Sequence, residues 1–161
     1  MEFSRFRPLF EIDTSIPVNS FIICEVAIGD ETEINMKFNA LCENHLFTKA
    51  YSKGKRAVTS ALALYVLPDY QAKKLANAHP EKRVCNRIGL TTSTKLGGAV
   101  VRSRCRRVMR EALSALMKEK NIKVGFIIVI AARSAMTELK SGEVKRQLNF
   151  ALTKLGMYED L

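Results

Sequence analysis

Apolar and polar positions alternate along this chain with two different periods. Leu46, Phe47, Ala50 and Tyr51 recur at helical spacing and predict a short helix from Asn44 to Lys53, which Gly54 is expected to end as a C′ glycine. Arg56 to Thr59 reads as a short edge strand, and Ala61 to Leu67 as a strand closed by Pro68-Asp69. Tyr70 to Asn86 is polar, contains Pro80 and reads as a loop; Arg87 to Thr92 is the next strand, followed by Gly97-Gly98 as punctuation. Val124 to Ala131 is apolar without alternation, which predicts a central strand covered on both faces. Val144, Leu148, Ala151, Leu152 and Leu155 form the stripe of a last helix, with Ser141 as its cap and Gly156 as its stop.

The longest helix runs from Ala99 to Lys118. At 100° per residue, Val101, Cys105, Val108, Ala112, Ala115 and Leu116 share one face. Arg102, Arg106, Arg107 and Arg110, with Ser103, fall on the opposite face, and Arg104 lies at the border. Arg102 and Arg106, and again Arg106 and Arg110, are like charges at i,i+4, which repel. A face of this kind is either simply solvated or waits for an anion, and arginine favours forked contacts to phosphate. The elements predict an α+β fold in the order αβββαβα, one four-stranded sheet with three helices packed on it.

Residues 1–35 differ from this pattern. Phe21-Ile22-Ile23 and Val26-Ala27-Ile28 suit a short strand, but Pro8, Pro17 and Gly29-Asp30-Glu31 break the segment up. It carries two basic and seven acidic side chains, against 24 basic and nine acidic in residues 36–161. The first segment is therefore expected to be an acidic, poorly ordered appendage, with Met36 a candidate start of the working protein. Residues 36–161 are expected to form the functional domain. Its net charge of +15 points to a polyanionic partner, with nucleic acid ahead of a membrane surface. No run approaches the ~18 apolar residues of a membrane span, and no secretory signal is evident at the start.

Catalytic chemistry is hard to find. Cys24, Cys42, Cys85 and Cys105 form no C-x-x-C pair, and His45 near Cys42 has no second pair to complete a zinc site. The thiols read as reduced, in a cytoplasmic protein. There is no nucleophile elbow, Walker loop or His-Glu-x-x-His. The scattered acids of residues 36–161 offer no carboxylate cluster for paired magnesium ions, which disfavours an autonomous nuclease. The expectation is an RNA-binding protein without a catalytic residue or metal of its own.

The stretch from Lys95 through Gly97, Ala99, Val100, Arg102, Ser103, Arg104, Arg106, Arg107 and Arg110 to Glu111 resembles the signature of the bacterial ribonuclease P protein component, K-x-G-x-A-V-x-R-N-R-x-K-R-x-x-R-E. The resemblance covers about residues 38–156, including Asn44-His45-Leu46-Phe47, Gly54-Lys55, Leu64-Tyr65 and Arg87-Ile88-Gly89-Leu90. Two positions depart from it: Ser103 stands where the family has asparagine, and Arg106 where it has lysine. The arginine keeps the charge; the serine keeps an oxygen but loses the amide.

The resemblance implies a protein that assists a catalytic RNA in removing the 5′ leader of precursor tRNA. The RNA subunit would hold the magnesium, with no cofactor on the protein alone and no obligate protein partner. It also implies a left-handed β-α-β crossover, against the usual hand. By position, Lys95, Arg102, Ser103, Arg104, Arg106, Arg107 and Arg110 are expected to contact the catalytic RNA. Phe47, Tyr51, Tyr65, Thr91 and Ser93 are expected to line a cleft for the leader. Without the resemblance, Phe47 and Tyr51 read rather as core packing at i,i+4, by about two to one. Lys53, Lys55 and Arg56 read as a solvated or weakly RNA-facing cluster. Rival readings are a ribosomal or chaperone-like RNA-binding protein and a DNA-binding regulator, the latter opposed by the lack of a helix-turn-helix.

Overall fold

A computed structural model describes residues 38–78 and 84–159. Its elements are β1 (Phe38–Ala40), α1 (Asn44–Lys53), β2 (Lys55–Val58), β3 (Leu62–Pro68), α2 (Ala72–Ala78), β4 (Asn86–Thr91), α3 (Ala99–Glu119), β5 (Phe126–Ala132) and α4 (Ser141–Lys154). Short 3₁₀ turns lie at Thr94–Leu96 and Ser134–Thr137. The strands form one mixed sheet in the order β1-β4-β5-β3-β2. β1, β4 and β5 run parallel, whereas β3 is antiparallel to both β5 and β2. The parallel neighbours β4 and β5 are joined through α3, as parallel pairing requires a long crossover.

The apolar run expected at the centre of the sheet is β5, and both its faces are covered. Ile128 and Ile130 join Leu62, Leu64, Val66 and Ile88 in a core roofed by α3 and α4. Ile127 and Val129 point the other way, onto Leu67 and beneath Leu41, Leu46 and Ala50 at α1. Successive strand residues face opposite sides, so one strand supplies two cores. α3 contributes Cys105, Val108, Met109, Ala112, Leu113, Leu116 and Met117, all buried, while Val101 and Ala115 at the ends of the expected face are only partly covered.

The expected four strands and three helices are corrected to five and four among the described residues, in the order βαββαβαβα. β1 is three residues long, too short to show an alternation, and is held by backbone pairing to Asn86–Ile88. The stretch Tyr70 to Asn86, expected to be a loop, contains α2. Asp69 starts that helix: its side chain accepts from the Gln71 N–H at 2.9 Å and its carbonyl from the Ala72 N–H at 3.2 Å. The buried stripe of α2 is Ala72 and Ala76, small side chains that give a weak apolar signal. Lys140, not Ser141, occupies the cap position of α4. Val124 lies half exposed ahead of β5. Gly156 is left-handed at φ 64, as a helix stop requires. Gly54 is not: its backbone is extended, and its requirement is close approach, since a Cβ there would lie 2.4 Å from the Ala50 carbonyl oxygen. The expected appendage, residues 1–35, lies outside the described residues.

Two contacts fix α1 to the sheet. The first is polar. Arg87 of β4, with 7% of its side chain exposed, donates to both carboxylate oxygens of Asp69 at 2.7 and 2.8 Å and to Glu43, just before α1, at 3.1 Å. One guanidinium thus ties β4, the start of α2 and the start of α1. The second is steric. The Phe47 ring lies directly on Gly89, where a Cβ would fall 2.3 Å from Phe47 Cε1.

Asp69→Ala would leave the buried Arg87 guanidinium with only the half-exposed Glu43 as its carboxylate partner, and should destabilise the fold by about 3 kcal/mol, read from the shift in urea unfolding. Gly89→Ala should cost about 1–3 kcal/mol through overpacking and turn the Phe47 ring outward. A Phe47 ring whose NMR shifts are unchanged in that variant would contradict the contact.

Candidate nucleic-acid interface

Two candidate surfaces meet at the C-terminal end of β4. On the α1 side, Phe47, Tyr51 and Tyr65 are half-buried at the margin of the smaller core. They are neither pure core nor free rings: packing fixes one part of each and leaves another part exposed. Tyr51 and Tyr65 meet edge to face, with centroids 4.9 Å apart and planes at 88°. The Tyr51 hydroxyl shares a hydrogen bond of 3.0 Å with Thr91. Burial pushes the Tyr51 hydroxyl above its ordinary pKa, a rise the Thr91 hydrogen bond opposes and Tyr65 adds to. Tyr51 is therefore a neutral phenol at physiological pH and presents no negative charge to an anion.

Four of the five residues expected to line a cleft are brought together here: Phe47, Tyr51, Tyr65 and Thr91. Ser93 is engaged elsewhere. Its hydroxyl accepts from the Lys95 N–H at 3.2 Å and caps the turn Thr94–Leu96. That turn carries Lys95, exposed, and leads through Gly97, at φ 128, and the cap residue Gly98 into α3. Gly97 takes a conformation that side chains rarely adopt.

On the other side stands the arginine face of α3. Ser103, Arg104 and Arg107 are exposed, and Arg102, Arg106 and Arg110 are half-buried. Arg102 donates to the Gly97 carbonyl at 2.7 Å, Arg106 to the Thr92 hydroxyl at 3.0 Å, and Arg104 to the Thr137 carbonyl. Each of these acceptors is neutral. No arginine of α3 forms an ion pair with an acid among the described residues; the pairs there involve Arg87, His45 and Lys145. The helix face is braced without being neutralised, and its charge stays available to a polyanion.

Thr91 and Thr92 join the two surfaces. Thr91 is the last residue of β4 and reaches Tyr51, while Thr92, the first residue past the strand, reaches Arg106 on the other side. Sequence reasoning named Thr91 and missed Thr92, because a threonine at a strand end carries no mark until a helix is laid beside it. It also missed the clamp of Arg87, Asp69 and Glu43, residues scattered over 45 positions. Among the described residues no three His, Cys, Asp or Glu side chains gather as a metal-binding group, and no helix is long and apolar enough to cross a membrane.

The arrangement suits a nucleic acid: exposed ring surface for stacking, next to fixed cations for phosphate. The family model described as Ribonuclease P matches residues 36–156. The ribonuclease P protein component of Clostridium acetobutylicum is 33% identical over 122 residues, covering 76% of this chain and 92% of its own length. That of Bacillus velezensis is 29% identical over 123 residues, covering 76% and 94%. The Staphylococcus aureus RNase P protein structure superposes with a TM-score of 0.58 at 20% identity, over 74% of this chain and 97% of that one, a likeness of fold. With the arginine signature on one exposed helix face and the match running from Met36 to Gly156, the chain belongs to the ribonuclease P protein component family.

Proposed function

We propose that this protein binds the catalytic RNA of ribonuclease P through α3 and holds the 5′ leader of precursor tRNA on the opposite side of the β4 end. The RNA subunit holds the magnesium and cleaves the leader; the protein supplies charge and grip, and no catalytic residue. The observation that carries this reading is the pairing of an un-neutralised arginine face with an aromatic ledge, back to back across Thr91 and Thr92.

Each residue then has a role. Arg102, Arg104 and Arg106, held by neutral acceptors, present fixed guanidinium groups to RNA phosphates, with Ser103, Arg107 and Arg110 completing the face. Lys95 lies on the turn between the two surfaces and faces the RNA. Phe47, Tyr51 and Tyr65 offer surfaces for unpaired bases, each stacked base adding about 1–3 kcal/mol without reading much sequence, which suits leaders of varied sequence. Thr91 holds Tyr51 in place, and Ser93 shapes the adjoining turn. The working domain is residues 36–161. Action in the cytoplasm fits Cys42 and Cys105, neither of which forms a disulfide.

The direct test is precursor tRNA cleavage by a bacterial ribonuclease P RNA at low magnesium, where the RNA alone is expected to be nearly inactive. The full chain and residues 36–161 should both restore cleavage at the mature 5′ end; tight RNA binding without cleavage by a cognate RNA would sink the reading. Binding of the RNA should fall steeply with salt. Neutralising about five phosphates gives a log–log slope of roughly −3.5 to −4.5, and a flat response would contradict phosphate-led binding. Phe47→Ala with Tyr51→Ala should weaken precursor tRNA far more than mature tRNA, whereas equal losses would return both rings to the core. Arg106→Ala with Arg110→Ala should instead weaken assembly with the catalytic RNA.

A further inference from the structure

We propose that Arg56, on the edge strand β2, is a further contact to the single-stranded leader and holds a phosphate just beyond the base stacked on Tyr65. This inference rests on the leader-binding reading of the aromatic ledge and extends that surface to the sheet edge.

The register pairs Arg56 with Tyr65 directly across β2 and β3. Residues opposite each other in an antiparallel pair share a face, with Cβ atoms about 5 Å apart. The face is settled by alternation. Ala57 is buried in the core under α3 and α4, so Arg56 and Val58 point to the α1 side, with Tyr51 and Tyr65. Both are exposed. The first helix ends at Lys53, with only Gly54 between it and the start of β2. No acid among the described residues forms an ion pair with Arg56. Lys55 faces the other way and takes no part.

The order β4-β5-β3-β2 and its register then give a row across one face of the sheet: Gly89 beneath the Phe47 ring, Val129, Tyr65 and Arg56. Its span is three strand spacings, roughly 14 Å. Rings followed by a forked cation is the chemistry of a single strand, whose bases stack while its backbone needs a charge-assisted partner. Nothing in Arg56 reads a base, so the contact adds length dependence and no sequence preference.

The test uses the full chain assembled with a bacterial ribonuclease P RNA, and precursor tRNAs with leaders of graded length. Arg56→Ala should leave mature tRNA and short-leader precursors unaffected and weaken precursors with long leaders about tenfold, as loss of one charge-assisted phosphate contact implies. The salt slope for long leaders should shrink by about 0.7. Arg56→Lys should restore the slope and part of the affinity. An equal loss for every leader, or for the RNA subunit itself, overturns the assignment in favour of a catalytic-RNA contact or a structural role. No loss on long leaders, while Phe47→Ala with Tyr51→Ala still loses them, overturns Arg56 and leaves the ledge intact. If neither variant responds to leader length, the leader reading falls with it.

Discussion

A strand that is apolar on both faces cannot be left with one side in water, and β5 is such a strand. Ile127 and Val129 need one cover, Ile128 and Ile130 another. The chain answers with α3 and α4 on one side and α1 on the other. That division sends the arginines and the aromatics to opposite layers of one molecule. The layers touch again where β4 ends, because Thr91, its last residue, turns to Tyr51 and Thr92, just past it, turns to Arg106. The two surfaces thus hold a defined relation without sharing an element.

Electrostatics follows the same division. Three acidic side chains of the described part are spent on structure: Asp69 and Glu43 on Arg87, Glu119 on Lys145. The buried guanidinium of Arg87 makes three charged hydrogen bonds and ties three elements. The arginines of α3 are treated in the opposite way. Their braces are carbonyl and hydroxyl oxygens, which orient a guanidinium while leaving its net charge intact. Like charges at i,i+4 along one helix then persist as a standing repulsion, which a polyanion relieves.

The legible parts of the sequence were those in which side-chain period and backbone state agree. α1, α3, α4 and the strands β2 to β5 stand within a few residues of where apolar spacing puts them. β1 was not legible, because three residues paired through their backbone leave no pattern in side chains. α2 was not, because its buried positions are alanines and its start depends on Asp69, a residue that reads as a turn. Gly54 shows a subtler failure. Its position was right and its reason was not, since the left-handed cap expected there is an extended residue pressed against a carbonyl.

By itself the sequence determined the charge of the domain, the cationic face of its longest helix and the signature that carries the family resemblance. These are local properties: residues a few positions apart on one helix meet whatever the rest of the chain does. Which groups brace that face, which rings keep exposed surface and which basic residue stands beside Tyr65 were decided by the tertiary structure. Thr92 meets Arg106, Gly89 receives Phe47 and Arg56 faces Tyr65 only once strand order and register are set. Register is a property of the paired sheet, and a slip of one residue would turn Arg56 to the opposite face.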